Sequence, residues 1–162
     1  MKELIITERM PVLALRGMTV FPQTTMHFDV GREKSIRALE KAMNADQRIF
    51  LVTQKDILQD DPSFDDLYAV GTVAQVRQVL KMPGDSVRVL VVGEFRAKVT
   101  EVQQTSPYLS ARVESLPDAD YVPDTPRIEA LHRQAAQLFD EFADLAPRPV
   151  QETMLKILAS ND

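Results

Sequence analysis

The chain has 162 residues, and 44% of them are hydrophobic, which suffices for one packed domain and an appendage. It contains no cysteine, so disulfides, thiolate zinc sites and cysteine nucleophiles are excluded. The net charge of −5 arises in residues 118–162, which carry 4 Lys+Arg against 9 Asp+Glu, whereas residues 1–117 carry 15 of each. Neither part has the basic stripe of a nucleic-acid-binding domain, so we expect no nucleic acid partner.

The sequence also predicts a cytoplasmic protein without a membrane partner. No apolar run approaches the length of about 18 residues that a membrane span needs. The opening MKELIITERM places Glu3, Glu8 and Arg9 where a signal peptide would need an uninterrupted apolar core.

Before residue 117, apolar residues mostly alternate with polar ones, which predicts strands. Met26, Phe28 and Val30 share one face of the run MHFDV. Residues 49–52 are continuously apolar, which is typical of a strand buried on both faces. Residues 108–116 give one further candidate strand.

The most regular alternation lies in residues 87–99. Gly93 falls on the apolar face of this run and is followed by Glu94, which predicts a β-bulge or a sharp bend. In the preceding segment, Val73, Val76 and Leu80 also fit a helical spacing. Strands are favoured because Pro83-Gly84-Asp85 is a typical turn sequence. We therefore predict a long hairpin, Thr72–Met82 against Ser86–Lys98.

One helix is predicted to interrupt these strands. Gly31 is acceptable as its N-cap, and Ile36, Leu39 and Met43 form a narrow apolar stripe. About six strands, one helix and many turn residues predict a mainly β domain with a small curled or barrel-like sheet, covering residues 1–117.

Residues 118–162 are predicted to be a linker and the start of a helical bundle. Residues 117–125 are rich in Pro and Asp, and Thr125-Pro126 reads as an N-cap followed by a proline at the first helical position. Helical periodicity then extends through Ile128, Leu131, Ala135, Leu138, Phe139, Phe142 and Leu145.

A second, shorter helix is predicted after Pro147 and Pro149. Its apolar residues are Val150, Met154, Ile157 and Leu158. The final residues 160–162 are of the capping type that introduces another helix, which suggests that the bundle is truncated there.

The sequence shows no recognisable catalytic constellation. It has no phosphate-binding loop of the GxxxxGK[ST] type and no GxSxG elbow. His27 and His132 fall on polar faces and are most simply solvated. Serines and lysines are present but in no context typical of a catalytic pair. We therefore predict that this chain alone is not an enzyme and holds no cofactor.

Five aspartates between residues 56 and 66 could in principle bind a hard cation. They are Asp56, Asp60, Asp61, Asp65 and Asp66. Their spacing lacks the central glycine and terminal glutamate of an EF-hand. A solvated loop is therefore the preferred interpretation, and no metal site is predicted.

Four strings resemble the amino-terminal domain of the ATP-dependent protease Lon. They are PVLALRG, FDVGREKSIRALEKAM, FLVTQKD and VGTVAQVRQVLKMPGDSVRVLV, in this order between Met10 and Leu116. The sequence departs from the family at two positions. Ala14 stands where the family often has proline, and the hairpin tip reads PGDSV, where an acidic residue followed by glycine is commoner. The helices after Pro126 agree in kind.

The resemblance implies a compact, PUA-like β domain that recognises substrates and supports assembly in an ATP-dependent serine protease. It implies unfolded or misfolded proteins as partners, a hexamer for the full-length family, and ATP and Mg only in an ATPase module that is absent here. Two alternatives stay open: a PUA-like RNA-binding module, and a stand-alone reader of a small ligand.

Two surfaces are predicted to hold partners. The first is the charged face of the helix after Gly31, with Arg32, Glu33, Lys34 and Arg37. The second is a set of apolar residues in turns, Met18, Phe21, Pro22 and Met82, which would suit adaptable binding if exposed. The simpler interpretations are a solvated helix face and residues that plug the ends of the sheet.

Overall fold

The structure, a computed structural model, describes residues 5–117 and 125–145. The chain divides into two units, residues 1–118 and 119–162. The first unit contains β1 (Thr7–Leu15), β2 (Thr25–Val30), α1 (Glu33–Met43), β3 (Arg48–Thr53), β4 (Val70–Lys81), β5 (Val87–Gln104) and β6 (Leu109–Ser115). A 3-10 turn spans Phe64–Asp66, and the second unit contains α2 (Pro126–Leu145).

The six strands form one sheet in the order β2-β5-β4-β3-β1-β6, and β6 also pairs with β5. This additional pairing closes β5, β4, β3, β1 and β6 into a ring, with β2 attached to β5 outside it. β1 and β3 run parallel, whereas the other ladders are antiparallel. The predicted mainly β, barrel-like fold with one helix against it is confirmed.

The inside of the ring is filled by one hydrophobic cluster. Strand register places four of its members and one partly buried neighbour, Phe95, side by side around the ring: Leu109, Val12, Phe50, Val73 and Phe95. Phe50 and Val73 are completely buried. Burial of an apolar side chain of this size stabilises a fold by about 1.5–3 kcal/mol, so this belt is a main source of the ring's stability.

A second cluster covers the outer face of the ring beneath α1 and β2. Strand β3 connects the two clusters: Ile49 and Leu51 belong to the outer one, and Phe50 and Val52 to the inner one. The prediction of a strand buried on both faces is therefore confirmed.

Strand β5 bends at a β-bulge. Val73 pairs with Phe95 while Ala74 pairs with Gly93, so Glu94 is the extra residue on β5. A bulge increases local twist and lets a strand turn a corner. The bulge or bend predicted at Gly93-Glu94 is thus confirmed, and it separates the part of β5 that pairs with β2 from the part that pairs with β6.

The bulge residue also takes part in an ion-pair cluster. Arg48 Nε donates to Glu94 at 2.8 Å, and Arg48 Nη1 donates to Glu8 at 2.8 Å. The guanidinium lies 5.5 Å from the centre of the Phe95 ring. Hydrogen bonds to both carboxylates raise the pKa of Arg48 despite its partial burial. The cluster ties the starts of β1 and β3 to the bend in β5.

Glycine is required at position 93 by a backbone contact. A Cβ at this position would lie 2.2 Å from the carbonyl oxygen of Phe21. The Gly93 N–H donates to Thr24 O and its carbonyl accepts from the Gln23 N–H, both at 2.9 Å. The β1–β2 connection therefore lies directly on the bend.

Helix α1 differs from the prediction at both ends. Its N-cap is Arg32 rather than Gly31. Leu39 is buried as predicted, but Met43 is 36% exposed because Ala42 faces the sheet and the next residue is turned about 100° away. The buried face consists of the small residues beside the predicted stripe and Leu39 itself: Ser35, Ala38, Leu39 and Ala42.

The long hairpin is confirmed, and the helical alternative for β4 is wrong. Lys81 pairs with Val87, and the Met82 N–H donates to Ser86 O at 2.9 Å. Strand β5 continues six residues past the predicted end, from Lys98 to Gln104. The polar run TEVQQ gave no alternating signal there, and pairing with β6 keeps it extended.

Helix α2 begins as predicted, at Pro126. The Thr125 carbonyl accepts from Glu129 N–H at 3.0 Å, and its hydroxyl accepts from Ile128 N–H at 3.3 Å. Five of its large apolar residues are exposed, from 41% for Ile128 to 85% for Leu145, whereas Phe139 is half-buried. Residues 118–124 of the linker predicted at 117–125, and the second helix predicted after Pro147, lie outside the described residues. Neither α1 nor α2 is long and apolar enough to cross a membrane.

Gly93→Ala tests the contact at the bend. We expect the added methyl group to lower the free energy of unfolding by about 1–3 kcal/mol, because backbone atoms must move to admit it. Gly31→Ala is the matched control, since its Cβ would approach other atoms no closer than 4.0 Å and should change stability by less than about 0.5 kcal/mol. Equal urea midpoints for the two variants would contradict this account.

Candidate functional site

Arg32, one of the four residues of the predicted helix surface, does not project to solvent. Its Nη2 donates to Gln54 Oε1 at 2.7 Å and to the carbonyl of Gln59 at 3.3 Å. Partial burial lowers the pKa of Arg32 from its ordinary value, although the guanidinium remains charged at any physiological pH. Arg32 therefore connects the start of α1 to the segment after β3.

Gln54 is the partner that organises this segment. Its side chain is 2% exposed, and its Nε2 donates to the carbonyls of Asp56 at 2.6 Å and Gln59 at 3.0 Å. Its backbone N–H donates to Leu15 O at 2.9 Å. Every polar atom of this buried amide is thus used, which holds residues 55–66, here called the acidic loop, against β1 and α1.

Two further cations hold the acidic loop from outside. Lys34 Nζ lies 2.7 Å from Asp61 Oδ1, and Arg16 Nη2 lies 2.8 Å from Asp60 Oδ1. The other two members of the predicted helix surface, Glu33 and Arg37, form an exposed ion pair with each other. The structure therefore divides that surface: Arg32 and Lys34 face the loop, and Glu33 and Arg37 face solvent.

Two of the remaining loop carboxylates, those of Asp56 and Asp66, accept from the loop's own donors. Asp56 accepts from Leu58 N–H at 2.9 Å, and Asp66 accepts from Ser63 N–H and hydroxyl at 2.8 Å. The Ser63 hydrogen bonds hold the pKa of Asp66 below its usual range. Within residues 5–117 and 125–145, no group of three or more His, Cys, Asp or Glu side chains is arranged to hold a metal ion.

The β1–β2 connection crosses the outer face of three strands. Met18 O accepts from the Thr53 hydroxyl of β3 at 2.7 Å, and Val20 O accepts from the Thr72 hydroxyl of β4 at 2.7 Å. Beyond them the connection reaches Gly93 of β5. It is therefore anchored along its length, and its side chains are presented on a fixed path.

The apolar residues predicted as a second surface are only partly brought together. Phe21 is 62% exposed, Pro22 is half-buried, and Met18 packs partly against the outer cluster. Met82 lies at the hairpin tip beside Ser86, seven strand positions from the Gly93 bend where Phe21 sits. That separation is about 20 Å along β5, so Met82 and Phe21 do not share one surface.

Sequence reasoning missed two exposed apolar residues in the acidic loop. Ile57 is 56% exposed and Leu58 is 80% exposed. Ile57 Cγ2 lies 3.8 Å from the point where Gly17 would carry a Cβ, so it sits against the β1–β2 connection at the residue before Met18. Met18, Ile57 and Leu58 are here called the apolar patch. In the sequence these two residues are an adjacent apolar pair among acidic residues, and no helical or strand periodicity includes them.

Two open clefts adjoin at the start of α1. One, of about 350 Å³, lies between the first turn of α1 and the acidic loop, with Arg32, Lys34, Asp60 and Asp61 in its lining. The other, of about 430 Å³, lies between β2 and the end of β1. Both histidines of the chain, His27 on β2 and His132 on α2, are exposed and line neither cleft. The geometry offers binding surfaces and no assembled nucleophile–base pair among the described residues.

Comparison with known proteins agrees on one family. Residues 9–161 match the family described as the ATP-dependent protease La (LON) substrate-binding domain. Over 150 residues the chain is 45% identical to Lon protease of Syntrophomonas wolfei, and over 143 residues it is 40% identical to Lon protease 1 of Bacillus subtilis. These alignments cover 93% and 88% of this chain but only 18% of each relative.

Solved structures show the same fold. The N-terminal domain of a Mycobacterium avium complex Lon protease superposes with a TM-score of 0.72 at 20% identity, covering 96% of this chain and 77% of that one. The Lon N-terminal domain protein of Xanthomonas campestris gives a TM-score of 0.54 at 15% identity, covering 96% of this chain and 92% of that one.

Gln54→Ala tests whether the buried amide holds the acidic loop. We expect the free energy of unfolding to fall by about 1–3 kcal/mol, because Arg32 and two carbonyls lose their buried partner. Gln59→Ala is the matched control, since Gln59 contributes through its main-chain carbonyl, which the substitution keeps. Hydrogen exchange in residues 55–66 should rise in the first variant only. Unchanged exchange in Gln54→Ala would show that other contacts hold the loop.

Proposed function

This chain belongs to the family of Lon substrate-binding domains, and on that premise we propose that it binds unfolded or misfolded proteins through exposed apolar side chains. It contributes recognition and support for assembly, and the chemistry belongs to other modules. Charge, exposure and the anchoring of the surface loops support this assignment.

The single observation that carries the proposal is the apolar patch on an anchored loop. Leu58 is 80% exposed and Ile57 56% exposed, while the acidic loop beneath them is held by Gln54, Arg32 and Lys34. Phe21, 62% exposed, extends apolar surface along the β1–β2 connection. Single apolar side chains on a surface are ordinary, but a flexible methionine beside two exposed aliphatic residues suits weak binding to many sequences.

The properties of the whole protein follow from the same premise. The chain spans 18% of the length of its relatives. On the basis of family membership, the full-length protein is proposed to be an ATP-dependent serine endopeptidase whose ATPase module holds ATP and Mg. It is proposed to work as a hexamer in the cytoplasm, in the removal of misfolded and regulatory proteins.

The two alternative functions have less support. An RNA-binding module needs a basic face to neutralise phosphates, whereas residues 1–117 carry equal numbers of basic and acidic side chains. A small-ligand reader needs an enclosed pocket with unpaired polar groups. The clefts here are open, and the charged residues that line them, such as Lys34 and Asp61, are already paired.

The isolated chain should bind denatured protein without enzymatic turnover. A coupled ATPase assay and a casein digest should give no activity above a mock preparation. Binding to a denatured protein should change little between 50 and about 300 mM salt, because apolar contacts dominate. A steep salt dependence with RNA and no binding to denatured protein would instead favour the RNA-binding alternative.

Phe21→Ser should weaken binding to denatured protein while leaving the fold intact. We expect a stability loss below about 1 kcal/mol because the ring is 62% exposed, against about 3–5 kcal/mol for loss of a core aromatic. Val102→Ser, at a residue that is 49% exposed at the far end of β5, controls for general loss of apolar surface. A combined Ala variant of Glu33, Lys34 and Arg37 tests the charged helix surface in the same assay. Unchanged binding in Phe21→Ser would remove that ring from the substrate surface.

A further inference from the structure

Strand β2 lies at the edge of the sheet. Among the described residues it forms a ladder with β5 and with no other strand. The Gly93 N–H of β5 donates to Thr24 O, so the even-numbered residues of β2 bond to β5 in this antiparallel register. On its other side, β5 bonds to the β4 hairpin through its even-numbered residues, beginning with Ser86 O, which accepts from Met82 N–H. The odd-numbered residues of β5 are therefore the ones that bond to β2.

The odd-numbered residues of β2 consequently direct their main-chain groups away from the sheet. These are Thr25, His27 and Asp29, and all three side chains are exposed. Their N–H and C=O groups form a row that is complementary to the backbone of another extended chain.

A cleft of about 430 Å³ lies directly beside this edge, and apolar side chains line one part of it. Phe28 lines it from β2, and Leu15 and Met18 line it from the end of β1 and the connection that follows. All three also contact or belong to the outer cluster, so the cleft has an apolar floor.

The charged residues around the cleft are already satisfied. Arg16 lies 2.8 Å from Asp60, and Arg88 lies 2.7 Å from Asp29. Arg32 is engaged in the hydrogen bonds to the acidic loop described above. A charged side chain entering the cleft would find no free counter-charge among these groups, whereas an apolar one would be accommodated.

We propose that an extended segment of an unfolded polypeptide adds to β2 as a further antiparallel strand and places alternate apolar side chains in this cleft. This inference rests on the proposed function and names how that substrate is held. Main-chain hydrogen bonds at Thr25, His27 and Asp29 give affinity for any sequence, and the cleft beside Phe28 selects apolar side chains.

The geometry also determines the phase of the bound segment. A residue opposite His27 exchanges hydrogen bonds with it and directs its own side chain to solvent. Its neighbour, opposite Phe28, directs its side chain into the cleft and its N–H away from β2. One set of alternate residues therefore supplies the hydrogen bonds, and the other set supplies the apolar contacts.

The first arm of the test changes the protein. His27→Pro removes the outward N–H without removing a hydrogen bond to β5, and proline is tolerated at such an edge position. We expect a labelled nine-residue peptide of alternating valine and threonine to bind this variant about fivefold more weakly or worse, as for one lost hydrogen bond. His27→Ala retains the main-chain donor and should bind as the unchanged chain does. Equal affinities of the two variants would overturn the proposal.

The second arm changes the peptide and does not depend on the folding of a variant. N-methylation of the threonines should abolish binding, because their N–H groups face β2, whereas N-methylation of the valines should be tolerated. Equal effects of the two modifications would overturn the proposal. If the unmodified peptide and denatured protein both fail to bind the unchanged chain, the proposed function itself fails. If denatured protein binds and neither arm has an effect, only the edge assignment fails.

Discussion

The bend in β5 is the constraint on which the rest of the structure depends. An 18-residue strand must pair with β2 before the bend and with β6 after it, while its ladder with β4 runs across the bend. The extra residue Glu94 provides the change of direction, and the missing Cβ at Gly93 lets the β1–β2 connection lie on the corner. Arg48 then ties Glu94 to β1, so the residue left over by the bulge becomes part of the ring closure.

Ring closure explains why the exposed features lie where they do. The inner cluster fills the ring and the outer cluster is covered by α1 and β2, and connecting segments outside the ring carry several strongly exposed apolar side chains, among them Phe21, Ile57 and Leu58. The acidic loop is such a segment, yet Gln54 holds it through a completely used buried amide. An anchored loop presents Leu58 without the ordering cost that a mobile loop would add on binding.

Recognition in this domain is best understood as a balance between general and selective contacts. Charged groups near the clefts are paired with one another, which leaves apolar contact and main-chain hydrogen bonding as the means of attraction. Both are insensitive to the detailed sequence of a partner, as the proposed binding to unfolded proteins requires. In the proposed hexamer, weak binding at one domain would gain strength when several copies engage one chain, because linked sites raise the effective concentration.

The sequence alone determined those elements that depend only on neighbouring residues along the chain. Alternation and turn residues were sufficient for the hairpin, and a continuous apolar run was sufficient for β3. Gly93-Glu94 specified a bulge, and Thr125-Pro126 specified a helix start, through local chemistry. Tertiary structure decided what depends on distant partners: the β5–β6 pairing, which keeps a polar segment extended, and the Arg32–Gln54 bond, which joins residues 22 positions apart. Exposure of Ile57 and burial of Gln54 likewise follow from the acidic loop's anchoring, because burial is a property of the packed chain and not of residue type.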